Sequence, residues 1–244
     1  MRVAVLRANA MHAPPRQAGP IPSDMLMLAY RIGIFPMADH RGDTDIYWVE
    51  PRERAVIPLD RFHCSRRLSR TLAGDRFSVT CNEAFGQIIA ACAAPREIHA
   101  ESWISERIED SYLALHEEGH AHSIECWRTD DGGDRALVGG LYGVGFDGVF
   151  CGESMFTRER DASKVALAWL VAAMRQAGML VLDCQFMTDH LASMGAVSIP
   201  QEAYLNMVAD ARNTPEMTLC ESVERFAQAS SPGKLIAQSL TQTS

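Results

Sequence analysis

Leu137–Phe156, LVGGLYGVGFDGVFCGESMF, is the stretch from which the rest of the chain can be read. Val138, Leu141 and Val144 lie among small residues, Phe146-Asp147-Gly148-Val149 supplies a tight turn, and Val149-Phe150-Cys151 begins the return. That pattern predicts two antiparallel strands. Gly139, Gly140, Gly143, Gly145, Gly148 and Gly152 crowd the same segment. Glycine loses extra backbone entropy in a strand and packs nothing, so this density predicts close approach by another backbone or a ligand. The return strand then delivers an acid, Glu153, into Gly-Glu-Ser-Met-Phe just ahead of a helix-like run. A lone acid so placed reads as part of a site.

Downstream, Ser163–Met174 has the spacing of an Ala-rich amphipathic helix, ended by Gly178. Met179–Cys184 reads as a buried strand, Asp189–Met194 as a short helix closed by Gly195, and Pro200–Ala211 as a last helix. Upstream, Ala121–Arg128 alternates like a strand. Glu106–Glu118 is a helix with Ile108, Tyr112 and Leu115 on its apolar face. Asn82–Cys92 is a helix broken by Pro95, and Phe77–Thr80 a strand. Ser23 caps a helix over Asp24–Arg31 that Gly33 ends, and Ile46–Val49 is a strand stopped by Pro51. Helices and strands thus alternate over 75–212 around an antiparallel hairpin, which predicts an α/β or α+β fold with a mixed sheet. Residues 1–60 form a small N-terminal domain, with 1–22 poorly ordered or loosely attached. Residues 61–215 form the main domain, and 216–244, polar and aperiodic, a disordered tail.

Bulk properties narrow the classes. The 244 residues, 47% hydrophobic and 22% charged, suffice for a substantial core. A net charge of −8 excludes a basic nucleic-acid-binding protein in the gross sense. Seven cysteines without a C-x-x-C pair argue against a disulfide framework or a zinc ribbon and for a reducing cytosol. No apolar run is long enough to span a bilayer, and the N-terminus lacks the apolar region of a signal peptide, so a cytoplasmic protein is expected. Against this acidic background, Arg52, Arg54, Arg61, Arg66, Arg67, Arg70 and Arg76 cluster between Pro51 and Arg76. Such a run reads either as a solvated helix face or as a local phosphate-binding patch.

Several motifs compete for the chemistry. His116-Glu117-Glu118-Gly119-His120 matches H-E-x-x-H, which needs both histidines one turn apart on a helix to hold zinc. Gly119 sits where a helix most readily ends, so structural histidines are expected, with a zinc-dependent hydrolase as the alternative. Cys151 and Cys184 lack neighbouring histidines and read as core residues. Asp183-x-Gln185 places both side chains on one strand face. There the carboxylate could accept from the carboxamide and leave its oxygen free for an amine; a strand-end cap is the other reading. Trp48 and Trp103 sit at element boundaries among polar residues, as core or as platforms for a nucleobase.

The ordered strings Gly33-Ile34-Phe35-Pro36, Asn82-Glu83-Ala84-Phe85-Gly86-Gln87, Ser102-Trp103-Ile104, Gly119-His120-Ala121-His122-Ser123-Ile124-Glu125, Gly139-Gly140-Leu141-Tyr142-Gly143-Val144, Phe150–Phe156, Asp183-Cys184-Gln185 and Asp189-His190 closely resemble the leucyl/phenylalanyl-tRNA–protein transferase family. The resemblance runs from about residue 25 to 212. It implies a GCN5-related acyltransferase-like domain working without acetyl-CoA. It also implies transfer of Leu or Phe, and of Met, from Leu-tRNA or Phe-tRNA to proteins with N-terminal Arg or Lys in the N-degron pathway. By the same resemblance, Asp183 and Gln185 lie at the transfer centre; charge complementarity, in turn, makes Glu153 the candidate acid for the cationic N-terminal residue or amine. Leu141, Phe150, Met155 and Leu170 would line the pocket for the aminoacyl side chain. Tyr30, Trp48 and Trp103 would meet the terminal adenosine, and Arg66, Arg67 and Arg70 the acceptor stem. The aminoacyl ester is already activated, so no cofactor or metal is called for, and neither DNA nor membrane is an expected partner. A tRNA- or peptide-binding relic without catalysis is the further alternative. Two departures touch the adenosine side: the Gly-Gly-Asp-Leu segment before the first helix is absent, and Met37 stands where a Trp normally follows Phe-Pro.

Overall fold

The Gly-rich hairpin lies in the interior of a seven-stranded mixed sheet. The structure, a computed structural model, describes residues 4–6, 19–95, 102–212 and 215–241. In chain order, β1 (Ala4–Leu6), α1 (Ser23–Arg31), β2 (Phe35–Met37) and β3 (Tyr47–Glu50) form a small unit with its own sheet, order β1-β3-β2. β4 (Glu53–Ile57), α2 (Arg66–Ala73), β5 (Ser78–Cys81), α3 (Phe85–Ala93) and α4 (Glu106–Glu117) follow. Next come β6 (Ala121–Thr129), the hairpin β7 (Arg135–Phe146) and β8 (Val149–Thr157), and α5 (Ala162–Ala177). β9 (Val181–Asp183), α6 (Asp189–Ala192), β10 (Val197–Pro200) and α7 (Gln201–Asp210) continue the chain, and α8 (Leu219–Ala227) and α9 (Pro232–Thr241) end it. The main sheet runs β10-β4-β9-β8-β7-β6-β5, antiparallel except for the pair β8/β9. The mixed α/β class and the small N-terminal unit are as expected.

Side-chain alternation divides the core into two layers. Leu141, Phe150 and Leu182 join α5, α8 and α9 on one face, whereas Tyr142, Cys151 and Val181 join α1, α3, α4 and α7 on the other. α5 is ringed by protein, with Ala166, Ala168, Leu170, Val171 and Ala173 fully buried, which explains its alanine-rich composition. Helix starts follow local chemistry: Ser65 accepts from the Leu68 amide and Ser105 from the Ile108 amide, each satisfying an orphan N–H.

Three expectations are corrected. The segment expected as a disordered tail, 216–244, contains α8 and α9; the first packs on α5 and β5, the second on α2. Its apolar residues Leu219, Val223, Phe226, Ile236 and Leu240 are buried at helical spacing, and Thr218 with Glu221 forms a capping box. Cys81 and Cys220 are joined by a disulfide across a sequence separation of 139, although the cysteine pattern argued against one. An odd count says nothing about a single long-range pair. β4 and β10, both unforeseen, complete the sheet; residues 4–6 form β1 where loose chain was expected, and positions 1–3 and 7–18 lie outside the described residues.

Candidate active site

Two features of the sheet create the site. β8 and β9 pair in parallel only as far as Cys151↔Asp183; beyond that point β8 stays with β7, while Cys184 and Gln185 exchange backbone hydrogen bonds with Ala55 of β4. The sheet therefore opens where the two strands part. Along β8, Gly143 pairs with Gly152 and Tyr142 with Ser154, so Glu153 is the extra residue of a β-bulge. A bulge re-aims the side chain it carries. Glu153 is thus set on a strand that continues to Thr157, rather than ahead of a helix as the sequence suggested.

A cavity of about 700 Å³ occupies the opening, within the size range of small-molecule sites. Leu141, Met155 and Leu170 line it, joined by Leu167, Leu182 and Leu191. Phe150 does not reach it: the ring is fully buried behind the wall, packed where a Cβ on Gly143 would lie. Phe35, Met37 and Trp103 form a further rim of the cavity. Trp48 stands half-buried beside this rim, packed against the core, and is absent from the lining. Most of the hairpin glycines face the protein itself. A Cβ at Gly139 would strike Ala162 at the start of α5, and one at Gly140 would strike Ile88 of α3; only Gly152 borders the cavity.

The polar end of the cavity is an ordered network. Gln185 Nε2 donates to Glu153 Oε1 at 3.0 Å, and the Tyr112 hydroxyl donates to Glu153 Oε2 at 3.1 Å. The Tyr30 hydroxyl shares a hydrogen bond with that of Tyr112, and both hydroxyls act on the Glu153 carboxyl. Tyr30 is fully buried and offers no face to a nucleobase, which corrects its expected place beside the adenosine. Burial pushes the Glu153 carboxyl up to about 7, and the hydroxyls of Tyr30 and Tyr112 offset only part of that rise.

Asp183 is not where the strand pattern put it. Its carboxylate is fully buried, grips Arg54 (Nε 2.8 Å, Nη2 2.6 Å), accepts the Gln185 backbone N–H at 2.8 Å and lies 3.3 Å from the Tyr204 hydroxyl. It makes no bond to the Gln185 carboxamide. The reason is local: Gln185 has φ +55°, a left-handed conformation costing a non-glycine residue about 1–2 kcal/mol, and this breaks the period-two alternation. The carboxamide therefore turns toward Glu153 and the cavity, while Asp183 serves the backbone. Arg54 and Tyr112 were the functional neighbours missed from sequence.

The remaining candidates sort by geometry. Arg66, Arg67 and Arg70 lie on the exposed face of α2, with Arg67 paired to Asp161 (Nε–Oδ2 3.0 Å); none lines the cavity. Cys184 borders the cavity, but burial holds its thiol well above the ordinary value, so it is no ready nucleophile. α4 ends at Glu117 and Gly119 has φ +81°, so His116 and His120 never share a helical face as the zinc motif requires. Instead His116 donates from Nδ1 to the Ala121 carbonyl and stacks on Phe85.

The description leucyl/phenylalanyl-tRNA protein transferase matches residues 56–209, and that of the same family's N-terminal domain matches 19–52. A protein of Novosphingobium aromaticivorans named leucyl/phenylalanyl-tRNA–protein transferase is 51% identical over 260 residues, spanning 92% of this chain and 97% of its own. The chain belongs to the leucyl/phenylalanyl-tRNA–protein transferase family. Transferases of the same name from Rhizorhabdus wittichii (53% over 188 residues, 77% of this chain and 74% of that one) and Phenylobacterium zucineum (47% over 219 residues, 90% and 96%) agree. The FemX crystal structure aligns with a TM-score of 0.47 and 12% identity over 72% of this chain and 66% of its own, a likeness too distant to argue from. In this transferase-family chain the seam between the two matched segments, 52 to 56, falls on β4 and thus on Arg54.

Proposed function

We propose that this protein transfers leucine or phenylalanine, and also methionine, from the 3′ end of aminoacyl-tRNA to the α-amine of cytoplasmic proteins beginning with Arg or Lys, marking them for N-degron proteolysis. The observation that carries this reading is the Gln185–Glu153 pair set at the polar end of an apolar cavity in a chain of this family. The leucine-lined part of the cavity suits an aliphatic or aromatic aminoacyl side chain. Trp103 and Met37 offer apolar surface to the terminal adenosine, and the basic face of α2 offers charge to the acceptor-stem phosphates.

The chemistry follows from which atoms are free. Gln185 commits Nε2 to Glu153, so Oε1 can accept an N–H of the attacking amine and hold its lone pair toward the ester carbonyl. The new C–N bond forms as the C–O bond to the ribose breaks. Glu153, with a carboxyl near 7, takes the proton that the amine sheds and returns it to the leaving ribose oxygen. Asp183 takes no part in this transfer, because Arg54 neutralises it and it does not border the cavity. The test is transfer of radiolabelled Leu or Phe from charged tRNA to an Arg-initiated acceptor. Label appearing on the acceptor supports the reading, and none with either donor overturns it.

A further inference from the structure

Arg54 is a fully buried arginine whose hydrogen bonds reach both the end of β9 and the turn that leads into β2. Nε and Nη2 hold the two oxygens of Asp183, and Nη1 donates to the Gly33 carbonyl at 2.9 Å. The guanidinium is sandwiched by the rings of Phe35 (5.0 Å) and Tyr204 (4.4 Å). Such a planar fork satisfies acceptors in fixed directions, which a lysine cannot reproduce. Burial works against its charge, yet Asp183 more than compensates and keeps the guanidinium protonated.

The acceptors are informative. On one side, the Asp183 oxygen that receives Nε also receives the Gln185 backbone N–H, the bond that pins Gln185 at φ +55° and turns its carboxamide to Glu153. On the other, Gly33 (φ +78°) ends α1 and leads through Ile34 into β2, whose Phe35 and Met37 also line the cavity. The Gly33 carbonyl takes a second bond from Gln201 Nε2, and a Cβ on Gly33 would collide with that side chain.

We propose that Arg54 is a positioning residue for transfer: through Asp183 it sets the backbone of Gln185, and through Gly33 it registers the Phe35–Met37 rim against the Gln185–Glu153 pair. The inference rests on the transferase reading. Arg54 touches no substrate and its effect passes through other groups, so it must show non-additivity with Gln185.

The experiment is a double-mutant cycle of Arg54→Lys and Gln185→Ala in the full chain, with kcat and KM measured for Phe-tRNA and for an Arg-initiated peptide. Arg54→Lys keeps the charge and loses the fork. Alone it should lower kcat at least tenfold, with KM for the peptide within twofold; in the Gln185→Ala background the kcat loss should shrink to less than twofold, while the part that passes through Gly33 and the rim persists in both backgrounds as a raised KM for Phe-tRNA. Equal losses in both backgrounds, or wild-type kcat in Arg54→Lys, would overturn the proposal. If Arg54→Lys fails to fold, Arg54→Met combined with Asp183→Asn leaves no unpaired buried charge while keeping an acceptor for the Gln185 backbone N–H, and takes its place in the cycle, with the same expectations. Amide hydrogen exchange at Gln185 supplies a readout independent of transfer. It should accelerate at least tenfold in the variant, and unchanged protection would sink the inference even where wild-type transfer is intact. Absence of transfer by the wild type with faster exchange in the variant would instead fault the functional reading alone.

Discussion

The two walls of the cavity are built on different principles. The hairpin wall is a continuous piece of chain, β7 and β8, whose residues pair with sequence neighbours and whose glycines admit α3, α5 and Phe150. The Gln185 wall is assembled from β4, β9 and α7, and its central bond joins residues 129 apart in sequence. The first wall owes its shape to packing, which tolerates small volume changes. The second owes it to a buried ion pair, which tolerates the loss of neither partner.

That contrast can be broken first at Asp183. Asp183→Ala leaves Arg54 charged and unpaired, so we expect a stability loss of about 3–5 kcal/mol together with a fall in transfer of at least 100-fold, read by chemical denaturation and by labelled transfer. Retention of wild-type stability would mean that the pair does not organise this wall. The second test concerns Glu153→Gln, which should lower kcat roughly 10–100-fold by removing the proton acceptor. In the wild type, kcat should rise with pH through about 7 as Glu153 ionises, and the variant should lose that inflection. The sign for stability is opposite. The folded-state value lies above the carboxyl's ordinary 4.5, so the folded protein binds the extra proton and loses stability as pH climbs from about 4.5 to 7. Glu153→Gln should therefore raise Tm at pH 8 by a few degrees and leave it unchanged near pH 4, as calorimetry would show.

Smaller effects are expected where packing governs. Leu170→Phe fills part of the apolar lining and should shift kcat/KM from Phe toward Leu donors by about 10-fold, measured by competition between the two charged tRNAs. Equal loss on both would place the side chain elsewhere. Cys220→Ser should lower Tm by roughly 5–10 °C, since the link closes a long loop, while leaving transfer at saturating substrate within twofold.

Legibility in the sequence followed the same division. The strands and helices around the hairpin were readable because alternation and helical periodicity are local signals, and Glu153 was conspicuous as a lone acid beyond a Gly-rich strand. Arg54 was invisible for a physical reason. In Glu53–Ile57 its charge argued for a surface position, and only the distant Asp183 makes its burial affordable. Gln185 was found, but its side chain was aimed wrongly, because period-two reasoning assumes extended backbone and φ +55° violates it. Resemblance puts Tyr30 beside a nucleobase, whereas its buried hydroxyl belongs with that of Tyr112 to the network around Glu153. The terminal helices were missed because a polar composition masked apolar residues at i, i+4 and i+7 (Leu219, Val223 and Phe226).

The bulge at Glu153 has a consequence for how this protein can change. Before it, Phe150 faces the α5 layer and Cys151 the other; after it, Met155 faces α5 and Phe156 the opposite layer, a reversal of odd and even positions. Deleting Glu153 would therefore remove the bulge together with the carboxylate and restore plain alternation, with Ser154 still opposite Tyr142 and Met155 still opposite Leu141. The downstream half of strand β8 would keep its faces, and what the protein would lose is the acid that Gln185 holds. The bulge is thus the place where this strand can lose a residue without turning its neighbours to the other layer, and the residue it carries there is the carboxylate.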